Sequence, residues 1–187
     1  MLILTNRSLA VSIISVFFAS ILLLNTNISA KEQDQHHCYL ENSPINWSGC
    51  NLYGRILTHL DLRHANLSDA NLKGADLSNQ NLEGANLKNA FLKNASLDGA
   101  NLSKADLSAA YFINADMRGA NLSYANLYKA NLNRADLTSA DLSNANLRNS
   151  ILVNAVLANV NLENADLTNA GIWRTNMNNC VHHALCR

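Results

Sequence analysis

One feature constrains this chain more than any other: an apolar residue recurs every five positions from Leu52 to Met177 without an insertion. Of the 26 residues in this column, 22 are leucine, and Phe112, Met117, Ile172 and Met177 fill the rest. Alanine stands two residues before it at 19 of 26 places, and asparagine or aspartate one residue before it at 19 of 26. Two residues after it, glycine or asparagine fills 16 of 26. An α-helix turns about 100° per residue, so a five-residue step lands roughly 140° off the starting face and scatters the leucines. A flat strand fails as well, because five is odd and successive leucines would alternate faces.

A short strand followed by a corner satisfies the pattern. Alanine and leucine, two apart, then point to the same side. Glycine or asparagine two after the leucine suits the corner, since both tolerate positive φ. The chain must coil about an axis with leucines stacked inside, and such internal periodicity decides the fold before local propensity does.

Ala75-Asp76-Leu77-Ser78-Asn79, Ala105-Asp106-Leu107-Ser108-Ala109 and Ala135-Asp136-Leu137-Thr138-Ser139 resemble the A-(D/N)-L-x-x consensus of the pentapeptide-repeat family. The resemblance implies an all-β fold, a right-handed quadrilateral β-helix of four repeats per coil, with short capping segments at both ends. The expected organisation is a signal peptide at 1–30, an N-terminal cap at 31–49, the β-helix at 50–179 and a C-terminal cap at 180–187. Six and a half coils at ~4.8 Å each make a solenoid roughly 30 Å long. Gln80 falls in the alanine column, where a buried unpaired amide is costly; its side chain is expected to bond backbone or turn out at the corner.

The N-terminus has its own character. Arg7 is the only charge before Lys31, and an apolar run from Leu9 to Leu24 precedes a polar stretch ending Ile28-Ser29-Ala30. This is the build of a secretory signal peptide, and the run is short of the roughly 20 residues that span a bilayer. Ile28 is bulkier than the small residue preferred before a cleavage point, so an uncleaved anchor is the alternative. The expected location is outside the cytoplasm: the periplasm, a thylakoid lumen or the medium.

All four cysteines lie outside or at the ends of the repeats: Cys38, Cys50, Cys180 and Cys186. Given the coil count that the resemblance implies, the two ends stand roughly 30 Å apart, beyond the ~7 Å reach of a disulfide. The expected pairs are therefore Cys38–Cys50 and Cys180–Cys186, in keeping with an oxidising compartment. His36-His37-Cys38 and the segment from Cys180 through His182 and His183 to Cys186 contain zinc or copper ligand types, which is the rival reading. Neither has a familiar ligand spacing, so no metal and no cofactor is expected. His59 and His64 read as surface.

Lysine plus arginine equals aspartate plus glutamate, 14 each, which implies no strong overall field toward nucleic acid or an anionic membrane. A nucleic-acid mimic that protects DNA gyrase, a role the family resemblance raises, is the alternative function; near-zero charge, the export signal and the eight residues after Asn179 count against it. An enzyme is not expected, because a core filled with leucine and alanine leaves no concavity for convergent acid, base or nucleophile. Outward positions carry the remaining lead. Positions 20 apart should share a side, and Phe91, Tyr111, Ile113, Ile151, Val153 and Trp173 then fall on one. Contiguous exposed apolar residues mark contact surfaces, although stacking between coils or cover by the caps would also account for them. The expected partner is a protein or a second copy, with no nucleic acid and no membrane after signal cleavage. Asp76, Asp98, Asp116 and Asp136 make an acidic stripe on the adjoining side.

Overall fold

The structure is a computed structural model that describes residue 38, residues 44–58 and residues 60–186. The proposed signal peptide, His36, His37 and His59 lie outside these residues. The chain divides into two compact units, 1–36 and 37–187; only the second is described.

Its backbone is a right-handed quadrilateral β-helix, built from single parallel bridges between residues 20 apart. Four walls follow in chain order. Wall 1 carries the bridges from Asn46 through Asn66 and Asn86 up to Asp166. Wall 2 runs from Asn51 through Asn71, Phe91 and Tyr111 to Gly171. Wall 3 runs from Ile56 through Asp76 to Asn176, and wall 4 from Asn81 through Asn101 to Val181. The register is unbroken on walls 1 to 3, so no coil slips.

The repeat Asn86–Ala90 uses all five of its N–H groups. Asn86 N donates down to Ala65 O (2.9 Å), while Leu87 N and Asn89 N donate up to Asp106 O (2.7 Å) and Ser108 O (3.0 Å). Ala90 N closes the corner on Leu87 O (3.0 Å). Only the N–H of Lys88 lacks a backbone carbonyl, and Asn86 Oδ1 accepts it (3.1 Å). This is the physical reason for asparagine or aspartate before the leucine: both put an acceptor two residues back along the chain, as in an Asx turn.

The same Oδ1 does a second job. Asn66 Nδ2 donates to Asn46 Oδ1 (3.1 Å), and Asn86 Nδ2 to Asn66 Oδ1 (3.2 Å). Because Oδ1 must face the N–H two residues on, Nδ2 points down the axis, and the ladder has one direction. Aspartate has no N–H to give, so it can begin a run but not continue one. Asp106 accepts from Asn126 (3.0 Å), and Asp141 from Asn161 (3.0 Å), each at the foot of its run.

The corners are uniform in conformation and diverse in sequence. Every described corner residue has positive φ, from Gly49 (67°) to Asn179 (54°), including Lys104 (59°), Ala109 (55°), Tyr124 (60°) and Arg134 (59°). The winding imposes this left-handed conformation, which costs a non-glycine residue about 1–2 kcal/mol. The N–H to C=O bond across the corner and the coil-to-coil bonds beside it hold it in place.

The leucine column is fully enclosed over most of its length, with Phe112 and Met117 also at 0% exposure. The winding also takes in Ile45–Gly49, one repeat before Cys50: Trp47 fills the leucine place and Ile45 the alanine place, both buried, with Trp47 N bonded to Asn66 O (2.7 Å). Gln80 does what an inward amide must. Its Nε2 donates to Leu57 O (2.7 Å) and Leu60 O (2.5 Å), supplying donors below the point where the wall 4 bridges begin.

A corner residue without a side-chain role should accept glycine with a gain. Ala109→Gly is expected to raise stability by about 0.5–1 kcal/mol, the left-handed penalty less glycine's unfolded-state entropy; Ala109→Val should lower it. Urea unfolding midpoints check both.

Candidate interaction face

Wall 2 departs from the asparagine rule. Its first column reads Asn51, Asn71, Phe91, Tyr111, Asn131, Ile151 and Gly171 from coil to coil. Asn71 Nδ2 donates to Asn51 Oδ1 (3.0 Å), and there the ladder stops. Phe91 and Tyr111 are bridged and their rings stack, centroids 5.1 Å apart and 6° from parallel. They remain 49% and 41% exposed. Neither offers an acceptor to the N–H two residues on, so the pair replaces hydrogen bonds with a stack that leaves much of both rings in water.

Ile113 sits two residues after Tyr111, half-buried, on the same wall. Ile151, Val153 and Trp173 also lie on wall 2, Ile151 and Trp173 exposed. They form a second group. Asn131 and Asn133 occupy the coil between, with Asn131 Oδ1 accepting from Asn133 N (3.1 Å), so the apolar strip is two patches with a polar rung between them. Trp173 is 63% exposed and has Arg174 over its ring at 4.2 Å.

The acidic stripe of wall 3 is partly neutralised from within. Arg118 donates to both oxygens of Asp116 (2.7 and 2.6 Å) and lies 4.0 Å from Asp98. The guanidinium holds the Asp116 carboxyl below the usual carboxylate range. Hydrogen bonds from the side chain and backbone N–H of Ser78 lower Asp76 in the same way, and those of Thr168 lower Asp166. Beside Pro44 and His64 an open depression holds Asp61 and Arg63, paired at 2.6 Å, where the arginine keeps Asp61 at about 2.

At the ends, the cysteines stand in the two expected pairs. Cys38 and Cys50 have Cα atoms 5.8 Å apart with S–S 2.00 Å, and Cys180 and Cys186 are 5.2 Å apart with S–S 2.06 Å. His183 Nδ1 accepts the Leu185 N–H (3.1 Å), and His182 Nδ1 lies 3.3 Å from Asn161 Oδ1. Among the described residues no three of His, Cys, Asp and Glu are placed to hold a metal ion, and no helix is long and apolar enough to cross a membrane.

The chain belongs to the pentapeptide-repeat family: pentapeptide repeats match it in 8 copies, over residues 48–79, 81–114, 100–139, 115–153 and 152–181. Solved structures similar to it include HetL, a pentapeptide repeat protein involved in heterocyst differentiation regulation from the cyanobacterium Nostoc sp. strain PCC 7120. The identity is 26% over 83% of this chain and 97% of that one, with a TM-score of 0.25. A pentapeptide repeat protein of the Arabidopsis thaliana thylakoid lumen is 29% identical over 65% of this chain and 72% of its own, TM-score 0.21. QnrB1, a plasmid-mediated fluoroquinolone resistance protein, is 20% identical over 67% and 76%, TM-score 0.36. No curated protein matches the chain.

Two outcomes follow from this geometry. The lowered carboxylates contribute stability that is present above their unfolded value, near 4, and is lost as pH falls through their folded values. The melting temperature should therefore fall below about pH 4 and continue to fall toward pH 2, with Asp116→Asn flattening part of that decline. The double variant Phe91→Asn/Tyr111→Asn restores the acceptors and the ladder, so it should unfold within about 1 kcal/mol of the parent, measured in urea.

Proposed function

We propose that this protein is an exported, non-catalytic scaffold that presents wall 2 as a flat contact face to a protein partner or to a second copy of itself. The observation that carries this reading is the Phe91–Tyr111 stack. It stands mid-wall, away from both ends, at places where asparagine would serve the backbone better, and it leaves large rings in water. Exposed apolar groups that the fold does not require point to a contact. The interior supports the non-catalytic part, since leucine and alanine fill it. The three-part build of residues 1–30 and the paired cysteines support export, with each bridge stapling an end of the solenoid in an oxidising compartment.

The nucleic-acid-mimic alternative asks for a sustained acidic surface. On wall 3 Arg118 sits between Asp98 and Asp116, which interrupts the one acidic stripe available.

The test compares Phe91→Asn/Tyr111→Asn with the parent by sedimentation and by recovery of crosslinked partners from the native envelope. Loss of a crosslinked species or of self-association, with unchanged unfolding, is the expected result. Identical behaviour in both assays would return the aromatic pair to coil stacking alone. Protection of gyrase in a supercoiling assay by a cytoplasmic form would instead favour the mimic.

A further inference from the structure

The near-zero net charge conceals a segregation that the register makes visible. Among the described residues there are 11 cations and 11 carboxylates. Four cations have a carboxylate within 4.0 Å: Arg63 and Lys104 on or beside wall 4, Arg118 on wall 3 and Arg148 on wall 1. The other seven have none, and six of them are on wall 2 or along its two edges. Lys73 and Lys93 stand on wall 2 itself, two residues after Asn71 and Phe91; Arg55, Arg134 and Arg174 follow its edge with wall 3. Lys129 stands at its edge with wall 1, and Lys88, two residues after Asn86, is on wall 1 itself. One carboxylate interrupts this zone, Asp69 at a corner, and its Oδ1 accepts from Asn89 Nδ2 (3.0 Å).

The cations are interleaved with the exposed rings. Lys73 lies 5.7 Å from the centroid of Tyr53, Lys129 5.2 Å from that of Tyr128, and Arg174 4.2 Å from that of Trp173. Between them stand Phe91, Tyr111 and Ile151. This combination works against one occupant left open above: two copies meeting wall 2 to wall 2 would bring uncompensated cations together at an energetic cost. It fits another. Lysine and arginine mixed with aromatic and aliphatic side chains, on a flat face with almost no carboxylate, are what an anionic bilayer surface binds, through charge attraction and shallow burial of apolar groups at the headgroup level. Resting on the reading of wall 2 as a contact face, we infer that its counterpart is the surface of a membrane rich in anionic lipid, with the solenoid lying on its side. A surface interaction senses the charge of the wall it meets rather than the sum over the chain.

The test measures co-sedimentation of the full chain with phosphatidylcholine vesicles, with and without roughly one-third phosphatidylglycerol. Adhesion through residues 9–24 would appear on both, so the readout is the excess on the anionic vesicles. The expected result is such an excess, abolished at high salt. Lys73→Gln/Lys93→Gln should weaken it about 25-fold, at about fivefold per cation; neither position is at a corner, so the fold is spared, as a urea midpoint would check. Phe91→Asn/Tyr111→Asn should weaken it too. No excess on anionic vesicles, or an excess that Lys73→Gln/Lys93→Gln leaves unchanged, overturns the inference. Capture by immobilised polyglutamate without vesicle binding overturns it in favour of an acidic protein. If the vesicle assay fails while the aromatic variant still loses a crosslinked partner, wall 2 stands as a contact face and only the lipid assignment falls.

Discussion

The structure depends on a left-handed corner placed every fifth residue. That corner reverses nothing and ends nothing; it turns the chain through one side of a square and returns it to strand geometry. Four of them bring residue i beneath residue i+20, and each wall is then a stack of single rungs at ~4.8 Å. Everything else inherits this registry: the enclosed leucine column, the amide ladders, the aromatic stack and the sorting of charge among walls. Lys104, Ala109, Tyr124 and Arg134 accept an unfavourable backbone conformation because the bonds above, below and across the corner leave them no other.

The repeat also settles how polar groups are spent. Four of the five N–H groups go to carbonyls, and the fifth needs a side chain from the same repeat. A residue that supplies that acceptor serves the fold, and one that does not is available for something else. By this criterion Phe91, Tyr111 and Ile151 stand apart from Asn86 or Asn126. Wall 2 combines this release from structural duty with the concentration of cations that have no carboxylate beside them. On the other walls Arg63, Arg118, Arg148 and Lys104 are each tied to an acid, and Lys88 on wall 1 is the exception.

Much of this was legible before any coordinates. The five-residue period fixed the inward columns, and counting in twenties put Phe91 beneath Tyr111. The behaviour of Gln80 followed from the cost of an unpaired buried amide. What sequence missed has identifiable causes. Ile45–Gly49 escaped notice because tryptophan and isoleucine stand in for leucine and alanine there. The corner conformation of lysine, arginine and tyrosine residues was hidden because no local propensity favours it; only the closed coil demands it. Asn131 and Asn133 divide the apolar strip, a detail visible in the columns but lost when residues are assigned to a side without regard to height. The sorting of charge went unseen because composition adds together walls that face different ways.

The one-way asparagine ladder has a consequence for the ageing of this protein. Asparagine is a thermolabile residue, and hydrolysis of a side-chain amide in mid-ladder, at Asn66 for example, would set a carboxylate oxygen against the Oδ1 of Asn46 below while leaving the bond from Asn86 above intact. Chemical damage would thus cut each relay on its N-terminal side only. Where a run begins with aspartate, as at Asp106 and Asp141, the hydrolysed form of asparagine already stands at the single rung where it does no harm.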